Sequence, residues 1–241
     1  MRWFITDFKR GLSERSFLGA IVLGILSLAL GLAYYVYGQD TYTADQAFIV
    51  SQSFAMPFIA PLLASMVYSN MNMLEKDSGY RNLLILKHKG KNYTLKRWFV
   101  NNILSGIALF IPMLMLYGVC SLFSPYVQQE EIVGVMLLGF LFGFVYGSFA
   151  YSLTFVNRKR YIPIVTPQVL YLLFIYAFPY LNLEKFYPPL SFSPWLMRNH
   201  VDAQLISLEL FIILGVSGVL VLGSMLYRRG KRYGYSENDS L

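Results

Sequence analysis

The sequence predicts an all-α, polytopic membrane protein with six transmembrane helices and both termini cytoplasmic. Three observations predict it. The 241 residues are 56% hydrophobic, 17% aromatic and only 14% charged, against about one quarter charged in a soluble domain. Apolar runs of about 20 residues, the length needed to cross a bilayer, recur along the whole chain. And 18 of the 20 lysines and arginines fall in four short stretches. These are the N-terminus (Arg2, Lys9, Arg10, Arg15), the segment 70–97, the tripeptide Arg158-Lys159-Arg160, and the tail (Arg228, Arg229, Lys231, Arg232). They alternate with turns that hold Asp40 and Asp45, then Glu130 and Glu131, then a mixed loop at 181–202. Positively charged loops resist translocation, so the basic stretches mark the cytoplasmic side.

Residues 1–15 precede the first span. Phe4, Phe8 and Leu12 stand at i, i+4 and i+8, while Arg2, Asp7, Lys9, Arg10 and Glu14 take other faces. That pattern predicts an amphipathic helix lying along the inner membrane surface. The apolar run behind it resembles a signal peptide only in its basic flank. It exceeds twenty residues and lacks a small-x-small cleavage site, so it reads as an uncleaved first span.

The six spans are expected at 16–37, 47–69, 98–123, 132–156, 161–180 and 203–227. The first ends on Tyr34, Tyr35 and Tyr37, an interfacial aromatic belt. The second contains Pro57 and Pro61, each of which removes a backbone donor and favours a kink. The third opens on Trp98 and Phe99. In the fourth, Gly139, Gly143 and Gly147 fall on one stripe where another helix can approach closely. That helix belongs either to the same bundle or to a second copy. The fifth holds Pro163, Pro167 and Pro179 and is the least regular. Residues 228–241 form a cytoplasmic tail. The outer loop 181–202 contains FYPPLSFSPWLM, more apolar surface than a water-exposed loop carries. It is expected to dip back into the interface or bundle as a re-entrant element.

The inner connection, 70–97, carries the strongest functional signal. Glu75 and Asp77 open it, Tyr80, Leu83 and Leu84 follow at helical spacing, and a dense basic run closes it. Acid at the start and base at the end complement a helix dipole. Gly79 interrupts the segment and Gly90 is placed to cap it. A short cytoplasmic helix with an apolar patch needs a protein partner or lies on lipid.

The composition also excludes. The formal net charge of +7 is explained by topology and attraction to anionic membrane lipid, leaving no call for nucleic acid as a partner. Cys120 is the single cysteine, so an internal disulfide and a cysteine-rich metal site are ruled out. His88 and His200 fall on opposite sides of the membrane, which removes a two-histidine metal site. Glu130-Glu131 begins a proteolytic E-E-x-x-x-R pattern, but position 135 is valine. No G-x-S-x-G element is present for a serine nucleophile.

This layout resembles the permease subunits of ABC-2 type ABC exporters. The likeness spans nearly the whole chain in arrangement and is specific over about 73–97. There the family commonly shows a Glu, a Gly about four residues on, leucines, a small turn element, then a basic residue entering span three. Glu75, Gly79, Leu83, Leu84 and Lys96 match that order, while His88-Lys89-Gly90 stands where the family turn often has a proline. The resemblance implies a permease that is not itself an enzyme, paired with a second, identical or different, permease and with two ABC ATPase subunits. The ATPases bind ATP and Mg, this chain needs no cofactor, and a short helix built from Glu75, Gly79, Tyr80, Leu83 and Leu84 docks in an ATPase groove. The absence of a G-x-x-x-x-G-K-[ST] phosphate loop in the sequence agrees with that division. It further implies the cell membrane, bacterial cytoplasmic, and outward movement of an amphipathic or hydrophobic cargo such as an antimicrobial peptide, toxin or drug.

For the pathway the polar candidates are Ser51, Gln52, Ser53, Thr166, Gln168 and Tyr171, each of which has the alternative of satisfying a neighbouring helix. Glu209 has two readings, a functional acid within span six or a residue reaching the outer interface. An ion-gradient-driven transporter would want mid-span ionisable residues, and Glu209 is the one candidate. An intramembrane enzyme is a further alternative and lacks its residues.

Overall fold

The computed structural model describes residues 2–38, 43–67, 74–75, 77–80, 93–156, 159, 161–182 and 210–226. Among them every regular element is helical: α1 (Arg2–Leu12), α2 (Arg15–Gly38), α3 (Ala44–Met66), α4 (Tyr93–Cys120), α5 (Gln129–Val156), α6 (Ile162–Tyr180) and α7 (Leu210–Leu226). The helix that holds the expected third span (98–123) begins at Tyr93, five residues before Trp98. Three helices, α2, α4 and α5, are long and apolar enough to cross a membrane, and α3 makes a fourth if its two bent halves count as one span. α6 and α7 are shorter apolar helices. Glu209, the tail and most of the outer loop (183–202) lie outside the described residues.

Side-chain contacts fix the direction of consecutive helices. Ser16 donates to Val67 O at 2.9 Å, Trp98 Nε1 donates to Ser148 Oγ at 2.8 Å, and Ser65 donates to Ile164 O at 2.7 Å. The starts of α2, α4 and α6 therefore gather with the ends of α3 and α5 at one end of the bundle, here called the basic end. At the opposite end Asp45 accepts the backbone N–H groups of Val127 and Gln128, each at 3.0 Å. Ser124 accepts the Ala44 N–H at 2.9 Å. The start of α3 and the approach to α5 are thus capped by each other's neighbours, satisfying donors that have no partner within the helix. Tyr117 and Tyr126 stack at 4.5 Å, and Tyr126 donates to Tyr117 O at 2.8 Å. Burial, foremost, pushes the Tyr126 hydroxyl well above its usual range, so it stays protonated as that donor.

α3 sits centrally, against α2, α4, α5 and α6, and α4 with α5 forms the most extensive pair. The outward faces are apolar: Leu18, Leu26 and Leu30 of α2, Leu137 and Leu141 of α5, and Val165, Val169 and Leu173 of α6 are all exposed. Such continuous apolar surface suits lipid rather than water. α1 turns Phe4, Phe8 and Leu12 towards the bundle, where they pack on its core.

The α4–α5 seam explains the glycine stripe. Gly139, Gly143 and Gly147 are buried, and a Cβ on Gly143 would lie 3.0 Å from the Gly106 Cα of α4. A Cβ on Gly147 would collide with the side chain of Ser105. Gly147→Val is expected to overpack this seam and lower stability by about 1–3 kcal/mol. Gly134→Ala, where a Cβ meets nothing within 4 Å, should be close to neutral; denaturant titration of the two variants in mixed micelles checks the contrast.

Candidate functional site

The strongest cluster of charged side chains among the described residues lies at the basic end, where α1, the segment 74–80 and α4 converge. Its centre is Arg97 of α4, a guanidinium with no exposure. Glu75, itself 4% exposed, places one carboxylate oxygen on Arg97 and the other on Arg10 of α1 at 2.9 Å. Arg97 also donates to the Tyr93 hydroxyl one turn earlier, and its guanidinium carbon lies 5.5 Å from the centre of that ring. Asp7 of α1 and Tyr151 of α5 are within electrostatic reach of Tyr93. Two cations thus share one carboxylate, each on its own oxygen, and that pairing is what lets the buried charges persist out of water.

Local structure puts Glu75 there. Residues 74–75 are helical, Ser78 N–H bonds Leu74 O at 3.0 Å, and Ser78 Oγ bonds Glu75 O at 3.3 Å. Gly79 follows in the left-handed region, φ +72°, a conformation that ends a helical turn with little strain only for glycine. Beyond it Tyr80 is half exposed, and Arg10 lies 5.9 Å from its ring centre. The turn buries its acid and leaves Leu74 and Tyr80 facing outward. Leu83 and Leu84, expected on the same patch, lie outside the described residues.

A polar stripe leads from this cluster into the bundle. Tyr93, Arg97, Asn101 and Ser105 recur every fourth residue and are all buried. Asn101 Nδ2 donates to Gly147 O at 2.7 Å, so the glycine that admits α4 also exposes a carbonyl to it. Next to the stripe, the Trp98 indole N–H meets Ser148, whose hydroxyl lies 2.6 Å from that of Ser217 in α7. Asn102 Nδ2 and the Ser105 hydroxyl have no hydrogen-bond partner.

The pathway candidates do not share one setting. Ser51 and Gln52 are buried in α3, and Ser51 bonds back to Ala47 O at 2.6 Å. Ser53 is half-buried. Thr166 lines an open apolar groove on α6 with Val165, Val169 and Leu173. Gln168 bonds the backbone of α3. Tyr171 is fully buried, edge-on to Phe142 and Tyr146, each 5.7 Å away. No group of three or more histidine, cysteine or acidic side chains that could hold a metal occurs among the described residues.

Sequence reasoning counted Arg97 as one more topological charge and missed its burial. The signal was there: a tyrosine, an arginine, an asparagine and a serine four apart in the first turns of an apolar helix. Comparison with protein-family models, with curated proteins and with solved structures finds no match to this chain.

Removing one member of a buried ion pair strands the other, at about 3–5 kcal/mol. Arg97→Leu should therefore sharply lower the thermal midpoint and yield in mild detergent. Arg97→Leu combined with Glu75→Leu should recover part of that loss. Arg10→Ala, at a partly exposed position, should cost no more than about 1 kcal/mol.

Proposed function

We propose that this chain is the permease subunit of an ABC-2 type exporter, crossing a bacterial cytoplasmic membrane six times with both ends inside. It works with a second permease and draws its energy from a separate ATPase pair, which binds ATP and Mg. The observation that carries this reading is the Glu75 junction. A partner pressing on the exposed face of Leu74 and Tyr80 pushes on a turn whose acid is ion-paired to α4 and α1. Displacement of that turn has to drag Arg97, because separating the pair in a dry setting is costly. Force applied outside the bundle thus reaches α4, and through the Asn101–Gly147 bond it reaches α5. Glu75, Gly79, Tyr80, Leu83 and Leu84 form the coupling element in this reading. The cargo is amphipathic or hydrophobic, with antimicrobial peptides and drugs as the favoured classes, by the family resemblance alone.

Three measurements test it. In a Cys120→Ser background, cysteines replacing Glu131 and Lys185 should react with an impermeant thiol reagent added outside intact cells. Cysteines replacing Lys87 and Lys159 should react only after the cells are opened. Labelling of Lys87→Cys from outside would break the six-span topology.

An affinity-tagged chain drawn from its native membranes should bring ATP-hydrolysing activity with it. Leu83→Ala with Leu84→Ala should remove that activity while insertion persists, since truncating a central apolar anchor costs about 2 kcal/mol or more. Lys89→Ala with Lys91→Ala should alter only its salt dependence. Transport that persists in ATP-depleted vesicles under an imposed proton gradient would favour an ion-coupled carrier instead.

A further inference from the structure

The geometry points to Gln168 as a latch that holds the proline bend of α3 and makes that bend follow α6. This goes beyond the exporter reading and stands independently of it. α3 turns by 67° between Ala44–Phe54 and Met56–Met66. Pro57 and Pro61 lie inside the helix, and each lacks the N–H that would bond the carbonyl four residues back. Sharp helix kinks arise at prolines or where a side chain enters the hydrogen-bond ladder. Here both causes act together.

The carboxamide of Gln168 donates to Phe58 O at 2.7 Å and accepts the Leu62 N–H at 3.0 Å. Those two backbone groups are four residues apart, the pair that a regular helix bonds to each other. One side chain therefore offers both ends of a single helical turn a substitute partner. The orientation of the amide is fixed by the same contacts, because an N–H must meet oxygen and a C=O must meet the NH₂. One turn earlier on α6, Ile164 O accepts the Ser65 hydroxyl. α6 thus grips α3 at two successive turns beyond the bend.

Two arrangements of this turn follow, and neither strands Phe58 O or the Leu62 N–H. With Gln168 seated, Phe58 O and Leu62 N–H are satisfied through the side chain and α3 is tethered sideways. With Gln168 withdrawn, Leu62 N–H closes on Phe58 O and the turn becomes regular. Away from water, backbone groups must keep partners in every state, so this is a condition a switchable bend has to meet. The far end of α3 is pinned to Ser124 and, through Asp45, to the start of α5. The Met66 end is tied to the start of α2 by the Ser16–Val67 bond, so relaxation of the bend carries the start of α2 with it.

The test uses the full chain in lipid nanodiscs, with Cys120→Ser and spin labels on Thr43→Cys and Met66→Cys. Complete straightening lengthens the separation by about 5 Å, from a rise of about 1.5 Å per residue. Gln168→Leu is expected to shift the pulsed electron-spin distance distribution towards the longer value. Gln168→Glu should do so only when ionised, because a protonated carboxyl keeps one donor and one acceptor while a carboxylate only accepts. Its distance should therefore move reversibly between about pH 4 and about pH 10, the parent's staying constant. A parent-like distance in Gln168→Leu, or no pH response in Gln168→Glu, overturns the latch. The glutamate variant, parent-like when protonated, carries the test if the leucine variant does not fold.

Discussion

Arg97 sits at the start of an apolar helix with no exposure to solvent, and the arrangement of the basic end follows from how that charge is neutralised. Tyr93 supplies one acceptor from the same helix. The anion has to come from elsewhere in the chain, and Glu75 brings with it the whole turn 74–80. Because Glu75 has a second oxygen, it also recruits Arg10, and with it the amphipathic α1. One buried cation thus determines where the N-terminal helix and the short turn bearing Glu75 settle. Apolar contacts alone would leave α1 free to slide or rotate, since Phe4, Phe8 and Leu12 make non-directional contacts.

The same requirement acts wherever a polar group lies inside the bundle. Most buried serine and threonine hydroxyls bond a carbonyl in their own helix, as Ser51 does with Ala47 O and Ser152 with Phe149 O. Other polar side chains connect helices. Asn101 reaches Gly147 O, Trp98 reaches Ser148, Ser65 reaches Ile164 O, and Gln168 reaches both Phe58 O and Leu62 N–H. Apolar packing brings these helices together without fixing their axial register, because lipid competes equally well for leucine. Directional bonds to backbone fix the register.

The helical class and the apolar segments were legible in the sequence, since a run such as that of α2 admits few other structures. So was the amphipathic helix at the N-terminus, from three apolar residues at helical spacing. Glu75 and Gly79 were singled out from order alone, but the partner of Glu75 was not. Arg97 lies 22 residues away, and nothing local in a basic run distinguishes the one arginine that turns inward. Gln168 was read as a polar residue with two possible uses, and choosing between them needs the neighbouring helix. The helix that holds the expected third span also begins before it, at Tyr93, because a buried Tyr93–Arg97 turn looks, by composition, like loop. What escapes the sequence in each case is a pairing between distant residues.

The Glu75–Arg97 pair also has a consequence for the order of assembly during synthesis. Translation delivers α1 first, then the acid, and the arginine only 22 residues later. Until α4 emerges, Glu75 remains hydrated and α1 has no fixed seat. When Arg97 arrives, the first two helices, already made, acquire the contact that orients the N-terminus. The basic end of such a bundle closes from its third long helix backwards, so a ribosome-bound fragment ending before Tyr93 has its apolar helices without the junction that organises them.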